Sequence, residues 1–238
     1  MTEMSKTERT TPKPIVGVLA LQGDFDAHRH RLEQLGAEVV LVKEPEQLER
    51  IDGLVIPGGE SGTFLKLLGE RGFKKLKQFV RLNPTFGTCA GAILLASEVE
   101  GPKQAGLGAL DISIRRNAYG RQIDSSIREG IFLPPHEAPS PLEMVFIRAP
   151  KIERVGNGVE VIAKEGKDPV AVRQRNVMAA TFHPELSKDT RVHKAFIDLV
   201  QASNARNGRG FSSRSSSRPK TRSGGRSPSR KSQVRSRE

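Results

Sequence analysis

The sequence predicts an α/β fold: a three-layer, doubly wound and mostly parallel sheet with helices on both faces, continued by antiparallel strands. Three observations carry this expectation. Short apolar runs bounded by Gly and Pro alternate with stretches of helical spacing through the first hundred residues. The earliest of these runs are continuously apolar, as in strands buried on both faces. From Ile112 onward the texture changes to short β-like runs separated by Gly, Pro and charged turns.

Ile15 to Leu21 is the first strand, between Pro14 and Gly23. Asp24 is placed to cap a helix running to about Leu35, with Phe25, Ala27, Leu32 and Leu35 near helical spacing, and Gly36 stops it. Ala37–Val42 and Gly53–Ile56 read as strands, joined by a short connector holding Leu48 and Ile51. Pro57-Gly58-Gly59 is a sharp loop. Helical stretches follow through Leu67 and from Phe73 to Leu82. Thr85–Thr88 is a short strand running into Cys89, and a helix then carries Ala92, Leu94 and Leu95. The runs Ile112–Ile114, Glu143–Ile147, Val159–Ala163, Val170–Val172 and Val177–Phe182 suggest an antiparallel extension of the same sheet. Asp189 is placed to cap a last helix through Val192, Phe196 and Val200.

Composition narrows the class. The chain has 238 residues, enough for a core that needs no disulfide or metal staple. Its one cysteine, Cys89, excludes an internal disulfide framework, a cysteine zinc cluster and a CxxC redox pair. No metal site is expected. Residues 1–14 are polar and read as a flexible leader without a signal-peptide core, and Ile15–Leu21 is too short to span a bilayer. A reducing, cytoplasmic setting without membrane insertion fits.

The formal charge is +12, but it is unevenly placed. From Ser203 to Glu238 there are 11 Lys/Arg and one acid, a net +10, with 11 serines and only Phe211 and Val234 as large apolar residues. Such a segment cannot bury enough surface to offset the entropy of ordering, so residues 203–238 read as a disordered basic tail. Its Arg/Ser alternation allows weak, salt-dependent binding to nucleic-acid phosphates, and Ser227 before Pro228 is open to phosphorylation. It lacks interleaved aromatics for base stacking, which favours a solvated extension. The expected domain is residues 15–202.

Three motifs carry chemistry. Gly87-Thr88-Cys89-Ala90-Gly91 lies between an expected strand and an expected helix, the pattern of a nucleophile elbow with cysteine at its centre. The glycines allow a tight turn, the following helix N-terminus favours a thiolate, and the amide of Ala90 is a donor for an oxyanion. An inert buried cysteine is the competing reading. His183-Pro184-Glu185 follows the strand Val177–Phe182 and supplies an imidazole base with a carboxylate to orient it. By itself it is also compatible with a surface turn. Pro57-Gly58-Gly59-Glu60-Ser61-Gly62 opens a helix after a strand, so its amides can face an oxyanion or a carboxylate. No GK[ST] follows, which disfavours a nucleotide P-loop. His28, His30, His136 and His193 have no comparable context, and His28 and His30 are expected on a solvated helix face.

Together these motifs resemble the class I, triad-type glutamine amidotransferase domain, over about residues 15–200. The narrower resemblance is to the glutaminase-subunit family of pyridoxal 5′-phosphate synthase. It rests on Leu19-Ala20-Leu21-Gln22-Gly23, on the Pro57–Ser61 and Gly87–Gly91 motifs, on Arg116-Asn117-Ala118-Tyr119-Gly120-Arg121-Gln122, on Val145-Phe146-Ile147-Arg148-Ala149-Pro150 and on Phe182-His183-Pro184-Glu185-Leu186. The resemblance implies a flavodoxin-like fold. It implies Cys89 as nucleophile, His183 as base and Glu185 as its orienting group. Gly59, Glu60, Ser61, Arg116, Ile147 and Arg148 match glutamine-binding positions, and Gly58, Gly59 and Ala90 match the oxyanion site. A guanidinium suits a substrate α-carboxylate. The implied reaction is hydrolysis of L-glutamine to glutamate and ammonia, which passes to a synthase subunit on a dodecameric core. The cofactor made by the complex need not bind this chain, so no cofactor is expected. The family pattern also implies a free subunit that is weak until docked. Where many members carry a second Thr after Gly-Gly-Glu-Ser, this chain has Gly62 and then Thr63, which implies a looser loop. Other readings are the glutaminase subunit of a different amidotransferase, a hydrolase or chaperone with a cysteine elbow, and a tail-mediated nucleic-acid-binding protein.

Overall fold

The computed structural model describes residues 12–101, 105–116, 125–135 and 137–208. The expected leader 1–14 and tail 203–238 therefore lie mostly outside the described residues, as does His136.

The parallel half of the main sheet is built from β1 (Ile15–Leu19), β2 (Glu38–Val42), β3 (Gly53–Ile56), β4 (Thr85–Thr88) and β12 (Val177–Ala180), in the order β2-β1-β3-β4-β12. The antiparallel half continues as β11 (Asp168–Gln174), β10 (Glu160–Glu165), β7 (Ser125–Phe132) and β8 (Ser140–Ile147). The chain thus has the doubly wound fold expected, with β12 as the seam: it runs parallel to β4 and antiparallel to β11.

Alternation along the central strands explains why they are apolar throughout. Leu54 and Ile56 of β3 enter one core and Val55 the other; Val177 and Ala179 of β12 enter the first, Met178 and Ala180 the second. Each face is covered by helices. α1 (Phe25–Gln34) and α4 (Arg191–Arg206) touch each other over the Val16, Val55, Phe86 and Phe196 core. α2 (Ser61–Leu82) and α3 (Ala90–Leu95) cover the opposite face. α2 breaks at Gly69, whose φ of 61° and ψ of 179° are non-helical, so it is two helical stretches as the sequence suggested.

Four of the differences between the sequence expectation and the structure concern assigned elements. Ile112–Ile114 does not extend the main sheet. It lies in β6 (Leu110–Arg115), the middle of a separate three-stranded sheet with β5 (Ala96–Glu100) and β9 (Lys151–Val155). Leu110, Ile112 and Ile114 share a core with Leu94 and Leu95 of α3, which draws this strand over the helical face. Second, Asp24 holds the N-cap position of α1 but its side chain makes no capping bond. Third, Asp189 bonds the Arg191 amide at 3.0 Å, while Thr190 is the N-cap residue of α4. Fourth, α4 runs to Arg206, beyond the expected boundary at 202, because Ser203 lies on the same buried face as Phe196 and Val200. Among the described residues no helix is long and apolar enough to cross a membrane.

Candidate active site

The site is assembled at the C-terminal ends of the parallel strands, where open α/β sheets bind their ligands. β1 leads to Gln22 and Gly23, β3 to the Pro57–Ser61 loop, β4 to Cys89 and β12 to His183. The second sheet adds Arg116 after β6, and β8 adds Ile147 and Arg148.

Cys89 carries the strain of the elbow, with φ of 48° and ψ of −103°. Its own amide donates to the carbonyl of Ala180 at 2.9 Å, which ties the turn to β12. The flanking glycines serve close approach rather than unusual dihedrals. A Cβ on Gly91 would lie 2.1 Å from the Ile56 carbonyl oxygen, and one on Gly87 would lie 2.6 Å from the Gly91 carbonyl carbon. Ala90 is the first residue of α3, so its amide has no partner within that helix. The Cys89 sulfur sits 4.0 Å from the carbonyl of Ile147.

His183 and Glu185 come together as expected. Nδ1 of His183 bonds Oε1 of Glu185 at 2.8 Å, with both side chains buried. The His183 amide donates to the carbonyl of Val145 at 2.8 Å, fixing the loop against β8. Nε2 of His183 makes no hydrogen bond among the described residues, which leaves it available for proton transfer. A Cβ on Gly58 would lie 2.5 Å from Cε1 of His183 and 3.4 Å from Cβ of Cys89; only glycine lets the loop lie against both.

The electrostatics follow from these neighbours. Burial disfavours a charged His183, but the Cys89 sulfur and the Glu185 carboxylate outweigh it and push the imidazole up to about 10. Burial likewise disfavours ionised Glu185, yet the His28 and His183 rings hold it down to about 2. Behind them His193 is lowered to about 3, first by burial and then by His28. His183 stabilises the fold fully below its ordinary 6.5, and that contribution is lost as pH rises toward 10. The His193 contribution is complete above 6.5 and is lost as pH falls toward 3; that of Glu185 is lost below its ordinary 4.5. Stability should therefore peak near pH 6.5 and fall on both sides, by up to about 1.4 kcal/mol per pH unit for each group. Urea unfolding from pH 4 to 9 checks this, and a midpoint that climbs steadily across the range would contradict it.

Cys89, His183, Gly58, Gly59, Glu60, Ser61, Arg116, Ile147 and Arg148 line one pocket of about 230 Å³, joined by Gly23 and Asp24. That is below the ~300–1,000 Å³ of drug-sized sites and suits one small polar molecule. Glu60 caps α2, accepting from the amides of Gly62 at 3.0 Å and Thr63 at 2.7 Å and from the Thr63 hydroxyl at 2.7 Å. The Thr63 hydroxyl, more than any other neighbour, holds the Glu60 carboxyl below its usual range. Three internal bonds, two from backbone amides and one from the Thr63 hydroxyl, thus close the loop at the Gly62-Thr63 departure. Arg116 lies 3.5 Å from Glu60, and Arg148 has a left-handed φ of 45°. Asp24, His183 and Glu185 bring possible ligand atoms within 4.8 Å of one another, but Nδ1 of His183 is already committed to Glu185.

Two kinds of residue were missed in the sequence. Gln22 latches the loop: its Nε2 donates to the Glu60 carbonyl at 2.7 Å and its Oε1 accepts from the Glu60 amide at 3.4 Å. Gln22→Ala should raise KM for the pocket's ligand about tenfold, the loss of one or two net hydrogen bonds. Steady-state kinetics checks this, and an unchanged KM would remove Gln22 from the loop's support. His28, expected on a solvated helix face, is instead fully buried behind Glu185, and so is His193, whose sequence context suggested nothing. His28 lies four residues before Leu32, on the apolar stripe of α1, and that spacing was the available signal.

Comparison with known proteins adds to this geometry. The sequence model of the SNO glutamine amidotransferase family matches residues 18–202. The chain is similar to the pyridoxal 5′-phosphate synthase subunit PdxT of Koribacter versatilis (strain Ellin345), 63% identical over 191 residues that span 80% of this chain and 97% of the relative. A crystal structure of a glutamine amidotransferase superposes with a TM-score of 0.72 at 46% identity, covering 78% of this chain and 98% of that one. PurLQS from Thermotoga maritima shares the fold alone, with a TM-score of 0.61 at 18% identity, covering 82% and 99% of the two chains.

Proposed function

The chain belongs to the SNO glutamine amidotransferase family, and we propose that it performs glutamine hydrolysis through Cys89, His183 and Glu185. It is the glutaminase subunit of pyridoxal 5′-phosphate synthase, supplying ammonia to the synthase subunit for vitamin B6 biosynthesis. The observation that carries the assignment of residues is the 2.8 Å His183–Glu185 bond set in one pocket with the strained Cys89 elbow.

The pocket offers what a zwitterionic amino acid requires. Arg116 and Arg148 suit the α-carboxylate, while Asp24 and Glu60 suit the α-ammonium group. The side-chain amide of L-glutamine then faces Cys89. Nε2 of His183 already carries the proton, its imidazole being pushed up to about 10 beside the sulfur and Glu185, and the sulfur attacks the amide carbon. The oxyanion is met by the amide of Ala90 and one from the Gly58-Gly59 loop. His183 returns the proton to the departing ammonia, leaving a thioester. Water, deprotonated by His183, cleaves the thioester and releases glutamate. Glu185 keeps Nδ1 protonated throughout, so that Nε2 is the nitrogen that exchanges the proton.

The partner's architecture is the finer inference: a large hetero-oligomer on a dodecameric synthase core, in the cytoplasm, as the family resemblance implies. The tail's net charge of +10 supports weak polyanion binding, separate from catalysis. Removing residues 209–238, which leaves α4 whole, should abolish such binding and spare glutaminase activity. The test of the main reading is glutamate release from L-glutamine by the full chain, with and without the pyridoxal 5′-phosphate synthase partner. Release that rises on adding the synthase is the expected result. Full turnover unchanged by the synthase would refute activation by docking, and no release in either condition would refute the assignment of residues.

A further inference from the structure

Glu185 presents two oxygens, and the mechanism uses one. Oε1 bonds His183; Oε2 is buried and completes no hydrogen bond among the described residues. A buried, ionised oxygen without a donor is costly. The ring nitrogen facing it is Nε2 of His28, at 3.3 Å. That same nitrogen lies 3.1 Å from Oγ1 of Thr88, beside the nucleophile, and Nδ1 of His28 lies 3.0 Å from Nε2 of His193. A continuous row of polar side chains therefore runs from the pocket to the interface of α1 and α4.

The carboxylate decides how the protons are arranged along this row. Oε2 can only accept, so a hydrogen on Nε2 of His28, lying between Oε2 and the Thr88 hydroxyl that can itself accept, is the arrangement that suits the carboxylate. Nδ1 of His28 is then a lone pair and accepts from Nε2–H of His193. This leaves Nδ1 of His193 as a bare acceptor, the atom found buried without a partner. The opposite tautomers would set a lone pair of His28 against the carboxylate. Burial holds both rings below their ordinary range, so they act as neutral donors. The charged or titratable groups around His28 are Asp24 and Arg31 of α1, His183 and Glu185 of the loop after β12, and His193 of α4.

We propose that His28 is a positioning residue: as a neutral Nε2–H tautomer it steadies Oε2 of Glu185, which keeps Oε1 aimed at Nδ1 of His183. The inference rests on Glu185 being the orienting carboxylate of the proposed mechanism. His28 acts through that carboxylate and touches neither substrate nor nucleophile.

Nitrogen-15 labelling of the five histidines in the full chain, read by two-bond proton–nitrogen spectra, tests the proton arrangement without any substitution. The expected result is His28 and His193 as neutral Nε2–H tautomers at pH 7. A protonated His28, or its Nδ1–H tautomer, at pH 7 overturns the proposal. His28→Leu removes the donor at similar size, and His28→Gln restores an amide N–H near the former Nε2. In His28→Leu the His183 titration midpoint should fall by roughly one pH unit, and kcat in the synthase complex about tenfold with KM little changed. His28→Gln should recover both. Equal losses in the two variants, or no change in His28→Leu, overturn the proposal. Should His28→Leu fail to fold, the tautomer spectra and the Gln variant still decide. A midpoint that moves in a chain with no synthase-supported glutaminase activity would leave the positioning role intact and remove the proposed function instead.

Discussion

Cys89→Ala is expected to lower glutamate release in the synthase complex by at least about 10⁴-fold, leaving only what binding and the oxyanion donors provide. The reasoning is chemical, since Cys89 is the chain's one thiol and the thioester cannot form without it. The elbow should survive the change. Its shape is set by backbone contacts, the Cys89 amide to Ala180 and the carbonyl of Cys89 to the Ile93 amide at 3.2 Å, and Ala keeps both. Unfolding free energy should therefore shift by less than about 1 kcal/mol. Because the thiol and imidazole act as a unit, Cys89→Ala combined with His183→Gln should be no slower than Cys89→Ala alone. A coupled glutamate assay alongside urea unfolding measures both. Substantial activity in Cys89→Ala would remove covalent catalysis from the account.

Gly91→Ala is expected to destabilise the fold by about 3 kcal/mol, a large effect for one methyl group. The new Cβ would lie 2.1 Å from the Ile56 carbonyl oxygen and 3.0 Å from its carbon. Both are backbone atoms of a central strand and cannot step aside as a side chain can. α3 must lift off β3, taking the Cys89 elbow with it, so activity should fall together with stability. Gly72→Ala is the control. Gly72 is also buried in a helix, but its Cβ would meet its neighbours at 3.4–3.5 Å, an ordinary contact. There the gain in helix propensity should stabilise by about 0.5–1 kcal/mol. Urea denaturation of the two variants separates the effects, and a neutral Gly91→Ala would mean that α3 is not packed as described.

The difference between what was and was not legible in the sequence has physical causes. β1, β3, β4 and β12 could be read because both their faces are buried and their residues are apolar or small throughout. β7 and β9 could not: Ser125–Phe132 and Lys151–Val155 carry Arg, Glu and Lys on a face that meets solvent, which resembles a loop. The second sheet was hidden for a related reason. Nothing local in Ile112–Ile114 says which of two sheets it will join; that is decided by Leu94 and Leu95, packed in the same core. At the site, Cys89, His183 and Glu185 stood in short motifs whose glycines and proline could be read directly. His28 did not, because a histidine among Arg29, His30 and Arg31 looks like part of a charged face. Its burial depends on Glu185, a residue on the far side of the sequence.

α4 starts just after the loop that holds His183 and travels back along the sheet for 16 residues, about 24 Å. Near its end Val200 packs over Gly53, the first residue of β3, so the helix finishes at the edge of the sheet opposite the pocket. An affinity handle, a fluorophore or a solid support joined directly to Asn207, in place of the residues that follow, would be attached at that far edge and not beside the mouth of the pocket. An immobilised preparation tethered there would keep its substrate entrance facing the solution.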